Sequence, residues 1–222
     1  MAKLIVIEGT DASGKQTQSE LLYEYFKKKN SKTARICFPD YSSPSSSLVK
    51  MYLSGAFGDT ADRVDGRIAS IFFASDRYAS YKTGWENLAH DPDAIIILDR
   101  YVTSNMIHQA VKMKNQQEKE VFLDWLYDLE YRIFALPKPD HIIFLKMPPD
   151  KAQELMKNRA NKITHQAKKD IHEADAKYLE ACYQNACYVA EKYHWTVIPC
   201  VKEGKLRSIE EIQEEIRSFV CN

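Results

Sequence analysis

The chain has 222 residues, with 31 Lys plus Arg balanced by 31 Asp plus Glu, so its formal net charge is zero. That balance excludes a long-range pull toward nucleic acid or an acidic membrane surface, and any phosphate recognition must be local. With 45% hydrophobic and 28% charged residues, and only 7 Gly and 8 Pro, the composition is that of a globular chain with a real core. Five scattered cysteines, Cys37, Cys182, Cys187, Cys200 and Cys221, include no short C-x-x-C pair, which points to reduced thiols in a cytoplasmic protein. The apolar run after Met1 is too short for a signal peptide. No stretch approaches the roughly 20 apolar residues of a membrane span, so neither nucleic acid nor membrane is expected as a partner.

In chain order, short apolar runs at 4–7, 34–38, 94–98, 141–145 and 195–199 predict strands covered on both faces. Helical patterns lie between and after them, at 18–29, 68–87, 104–129, 151–158, 170–193 and 208–219. The stretch 42–47 reads as a short loop and possible helix start. Strand and helix alternate from end to end, which predicts an α/β fold with a parallel sheet of about five strands, in one domain over the whole chain.

The first strand runs into Gly9-Thr10-Asp11-Ala12-Ser13-Gly14-Lys15-Gln16-Thr17. The two glycines and the lysine have P-loop spacing, after a strand and before a helix. Backbone N–H groups there curl around a phosphate, the helix N-terminus adds partial positive charge, and Lys15 reaches the terminal phosphates. The residue after the lysine is usually Ser or Thr, whose hydroxyl binds Mg²⁺. Here it is Gln16, whose amide oxygen is the candidate replacement.

The third strand ends in Asp99-Arg100-Tyr101-Val102-Thr103-Ser104-Asn105. Ligands of open parallel sheets sit at the carboxyl ends of strands, which brings Asp99 toward the P-loop phosphates as a candidate Mg²⁺ residue and Arg100 as a phosphoryl-bridging fork. Phe73 and Arg77 share a helix face four residues apart. Spacing alone reads them as a core ring beside a surface cation.

These segments, with Phe38-Pro39 and Leu136-Pro137-Lys138-Pro139-Asp140, together resemble the thymidylate kinase family along the whole chain and in the right order. The resemblance implies a P-loop NTPase-type three-layer sandwich with a lid, transfer of the γ-phosphoryl of ATP to dTMP, Mg²⁺, and a homodimer. It also implies roles. Asp11 would bond the 3′-hydroxyl of dTMP, Phe73 would stack on thymine, and Arg77, Ser104 and Asn105 would read its edge. Arg100 would touch phosphate, and His108 and Gln109 would lie near the sugar. Phe38 and Tyr41 belong to a loop in which many members grip the dTMP phosphate with an arginine where this chain has Tyr41.

Phosphoryl transfer needs in-line positioning and positive charge more than covalent chemistry, and a dTMP phosphate is already an anionic nucleophile. A lid that excludes water is expected at 158–169, where Arg159, Lys162, Lys168 and Lys169 supply charge. Because Ala12 stands where some members carry a P-loop arginine, Arg159 is the expected catalytic cation. Two other readings stay open. One is a deoxynucleoside kinase, which would use Asp99 as a base, or another nucleoside monophosphate kinase. A GTP-binding switch would use 161–164, although Thr164 replaces the aspartate that reads guanine.

Overall fold

The computed structural model describes residues 1–156 and 176–221. The expected lid at 158–169, with Arg159, lies outside the described residues.

Strands β1 (Lys3–Glu8), β2 (Thr33–Cys37), β3 (Ile95–Asp99), β4 (His141–Lys146) and β5 (Thr196–Pro199) form one sheet in the order β2-β3-β1-β4-β5. All four pairings are parallel. Within β1, Leu4 and Val6 enter one core and Ile5 and Ile7 the other, the two-residue period of a strand buried on both faces. The fold class read from the sequence is therefore the one observed.

Helix α1 (Lys15–Lys27) and helix α9 (Ile209–Val220) cover one face, where Leu22, Phe26, Ile212 and Ile216 pack on Ile5, Ile97 and Ile143. The opposite face carries α5 (Val102–His108), α6 (Gln116–Tyr127) and α8 (Ala176–Lys192). From these, Ile107, Phe122, Leu126 and Val189 join Leu4, Ile96 and Leu98 in the larger core. Because the helices after β1 and β3 depart to opposite faces, a crevice opens at the carboxyl ends of these neighbours. The register pairs Ile7 with Asp99, so the P-loop and the Asp99-Arg100 turn leave the sheet at the same level.

Two helical stretches differ from the sequence pattern. The stretch 104–129 is two helices, because after a 3₁₀ turn at Ala110–Lys112 the chain extends and Asn115 caps α6, its side chain accepting from the Glu118 N–H. Helix α3 (Gly66–Ser80) runs through π-helical Tyr81–Trp85 into α4 (Glu86–Ala89), and α6 ends in a second π-helical segment, Asp128–Ile133. Helix α2 (Ser47–Leu53) follows the serine-rich loop, and α7 (Pro149–Met156) follows β4. A small hairpin, β6 (Val201–Lys202) with β7 (Lys205–Leu206), turns through Glu203 at φ 51° and Gly204 at φ 76°. Two consecutive positive φ angles suit the right-handed twist of a hairpin.

Helix α9 supports α1, whose Gln18 Nε2 donates to the Ile209 carbonyl at 3.0 Å. Its start is a capping box: the Glu211 N–H donates to Ser208 Oγ at 3.2 Å, and the Ser208 N–H to Glu211 Oε2 at 2.9 Å. Ser208→Ala should lower the unfolding free energy by about 1 kcal/mol. Urea unfolding followed by circular dichroism checks this, with the midpoint falling at an unchanged slope.

Candidate active site

The P-loop closes tightly on itself. A Cβ on Gly9 would lie 2.5 Å from Ser13 Oγ and 2.9 Å from the Leu145 carbonyl, so no side chain fits there. Gly14 adopts φ 86° and ends the loop at the first turn of α1. Thr10 and Ser13 are buried, Asp11 and Ala12 are half-buried, and Gln16 and Thr17 face solvent. Lys15 Nζ donates to the Thr10 carbonyl at 2.7 Å and lies 3.5 Å from Ser13 Oγ. Burial, then the charge of Arg100, push Lys15 down to about 7 against the pull of Asp11, Glu8 and Asp99.

Arg100 is the hub. It leaves β3 at φ 67°, a left-handed conformation that costs any residue with a Cβ free energy, and its N–H donates to the Ile7 carbonyl at 3.2 Å. Nη2 contacts Asp11 Oδ1 at 2.5 Å, and Nη1 lies 3.6 Å from Glu8 Oε1 and 3.3 Å from His108 Nε2. Burial disfavours this charge, but Asp11, Glu8 and Asp99 outweigh it and the net shift of Arg100 is upward. Glu8 is fully buried. Its Oε1 accepts from the Gly9 N–H at 2.9 Å, and its Oε2 accepts from Thr103 Oγ1 at 2.7 Å and Ser104 Oγ at 2.8 Å. The hydroxyl of Ser104, expected at the base edge, is thus engaged by Glu8 and lies 3.5 Å from Arg100 Nη1.

Asp99 stands beside this hub and is held from the other side by Arg35. Arg35 Nη2 reaches Asp99 Oδ2 at 3.3 Å, and its Nε donates to Ser19 Oγ at 2.9 Å. Among the described residues no three His, Cys, Asp or Glu side chains gather as a metal site. What the crevice offers is hard oxygen, the Asp99 carboxylate and the exposed Gln16 amide. That donor set fits Mg²⁺, which takes few protein ligands and keeps phosphate oxygens and waters.

The second half of the crevice is lined by α3 and α5. Phe73 is half-buried, its ring edge-on to Tyr52 at 6.1 Å. Arg77 is not a surface cation. It is 2% exposed and forms a two-pronged pair with Glu130, itself 0% exposed, at 2.6 Å from Nε and 2.5 Å from Nη2. Asn105 Nδ2 donates to the Ser70 carbonyl at 3.2 Å and to Glu130 Oε1 at 3.3 Å. His108 closes toward Arg100, and its carbonyl accepts from Tyr178 Oη at 2.5 Å. Gln109 is buried, and neither end of its amide is hydrogen-bonded among the described residues. Phe38 packs in the main core against Tyr101, ring centres 6.0 Å apart. Tyr41 lies within electrostatic reach of Arg100, and its carbonyl accepts from Lys50 Nζ at 3.2 Å. Asp76 ties this loop to α3, accepting from the Asp40 N–H at 2.9 Å and from Ser45 Oγ at 2.5 Å.

The structure therefore gathers Lys15, Asp11, Asp99, Arg100, Ser104 and His108 around one crevice end, and Phe73, Arg77 and Asn105 around the other. Sequence reading missed Glu8, Arg35 and Glu130. A carboxylate ending a buried strand was a visible signal for Glu8. Arg35 and Glu130 gave none, because their partners are 64 and 53 residues away.

The family model for thymidylate kinase matches residues 7–216. The thymidylate kinase of Mycobacterium tuberculosis H37Rv is 32% identical over 174 residues, covering 78% of each chain. That of Dictyostelium discoideum is 29% identical over 220 residues, covering 97% of this chain and 83% of its own. A solved thymidylate kinase from Candida albicans superposes with a TM-score of 0.69 at 23% identity, covering 99% of this chain and 91% of that one, and so shares the fold. The match along most of the chain, in the register that sets the P-loop beside Arg100, makes this chain a member of the thymidylate kinase family.

Proposed function

We propose that this chain transfers the γ-phosphoryl of ATP to dTMP, giving dTDP and ADP. One observation carries the reading. The Arg100 guanidinium touches Asp11 in the P-loop and His108 of α5, the helix that also carries Asn105 to the other half of the crevice, so one fixed cation stands where the donor and the acceptor phosphate would meet. Lys15 and the loop amides hold the ATP phosphates in line with the acceptor, and Arg100 neutralises charge on the moving group. The acceptor phosphate is already anionic, so no base is needed, and Asp99 is engaged by Arg35. Mg²⁺, held by the nucleotide with Asp99 and Gln16 nearby, would supply further charge neutralisation when bound. We assign the additional cation to Arg159 of the lid segment.

We also propose a homodimer in the cytoplasm. Ile68, Ile71 and Tyr78 project from one side of α3 as exposed large apolar side chains, with Leu48 and Met51 of the neighbouring α2. No disulfide joins the five cysteines, all of which lie among the described residues, and this suits a reducing compartment.

The test is a panel of nucleoside monophosphates and thymidine with Mg-ATP, read as ADP release. Turnover with dTMP and none with thymidine is expected, and the reverse result rejects the reading. Lys15→Ala and Arg100→Ala should each lose about 2–4 kcal/mol of transition-state stabilisation, measured as kcat/KM.

Lys15 supplies a second signature. At pH 8 a lysine near 7 is mostly neutral, and a bound phosphate favours its charged form, so nucleotide binding should take up a proton. Calorimetry in buffers of different ionisation enthalpy should show this uptake, and Lys15→Met should abolish it.

For the dimer, Ile71→Glu should shift the mass from two chains toward one by light scattering, without loss of helical signal.

A further inference from the structure

We infer that Glu130, from the π-helical end of α6, is the positioning residue that sets which pyrimidine this site accepts. The inference rests on the proposed reading that the crevice takes a pyrimidine monophosphate against Phe73. Glu130 is fully buried and engages two side chains at once. Its two oxygens take Nε and one hydrogen of Nη2 of Arg77, which leaves the two hydrogens of Nη1 and the second of Nη2 without a hydrogen-bond partner among the described residues. Its Oε1 also accepts from Asn105 Nδ2, whose other hydrogen goes to the Ser70 carbonyl. Both amide hydrogens of Asn105 are thereby spent on the protein, and its Oδ1, which accepts no hydrogen bond from the described residues, is the end left for a base.

What remains is a donor edge, Nη1 of Arg77 with the second hydrogen of Nη2, and one acceptor, Asn105 Oδ1. That pair matches the imide edge of thymine or uracil, a carbonyl beside an N–H. It opposes cytosine, which presents an amino group beside a bare ring nitrogen. An amide alone does not choose, because turning it end for end swaps donor and acceptor. Here the carboxylate makes the choice, since turning Asn105 would set its Oδ1 against an anion and a carbonyl. The segment that carries Glu130 is a π-helical turn, a form that recurs at functional sites.

Glu130→Gln tests the inference, because an amide facing both Arg77 and Asn105 no longer dictates which end of Asn105 is presented. The wild-type chain is assayed first with dTMP and dCMP. If it turns over neither, or does not favour dTMP, the functional reading itself fails. With a dTMP-selective wild type, Glu130→Gln should raise KM for dTMP and lower the dTMP-to-dCMP ratio of kcat/KM at least about tenfold, since the discrimination lies in buried hydrogen bonds. KM for ATP and kcat at saturating dTMP should stay within about threefold, a split that a general loss of structure would not produce. An unchanged ratio in folded Glu130→Gln overturns the inference. If that variant does not fold, the charge-free pair Arg77→Met with Glu130→Met leaves no buried unpaired charge and takes its place. It should keep ATP binding and lose the same discrimination, and selectivity retained in it equally overturns the inference.

Discussion

The site is organised by one half-buried cation among carboxylates. Arg100 has Glu8, Asp11 and Asp99 around it, and none of these is independent of the others. Glu8 is spent on the first P-loop amide and on two hydroxyls of α5, so the start of the phosphate loop and the helix after β3 are fixed to the same side chain. A charge removed from water is tolerated only where it is paired and hydrogen-bonded, and here the pairing is drawn from three different elements. The left-handed backbone at Arg100 is the local strain that this arrangement sustains.

The sheet makes that arrangement possible. Parallel pairing of β1 with β3 in the register Ile7 to Asp99 delivers the P-loop and Arg100 to one level. Helices on opposite faces leave the crevice between them open. The two cores hold the register in place, because slipping β1 by one residue would exchange Leu4 and Val6 with Ile5 and Ile7 between faces packed by different helices. The P-loop half of the crevice is thus fixed by backbone geometry, and the half beside Phe73 by side-chain pairs between α3, α5 and the end of α6.

Much of this was legible in the residues. All five strands of the main sheet announced themselves as apolar runs, and the loop from Gly9 to Thr17 could be read with its chemistry. What escaped follows from physics with no local signature. The break before α6 depends on a single capping side chain, Asn115, inside an otherwise continuous helical pattern. The strands of the small hairpin have two residues each, too few to show a period. Arg77 looked like a surface cation because its neutralising partner lies 53 residues away, on a π-helical turn that shifts the helical phase. Arg35 pairs across β2 and β3 with Asp99, a contact set by the register of two strands rather than by any spacing along the chain.

The buried carboxylate of Asp76 links the loop after β2 to the helix that carries Phe73 and Arg77. Bound at both oxygens, it makes loop and helix a single mechanical piece. The wall of the crevice that carries Phe73 and Arg77 is therefore assembled beforehand, and a molecule bound against it would have little conformational freedom to quench on that side. A wall held that way would discriminate as a template, by rejecting shapes that do not match, and would owe little to moulding around those that do.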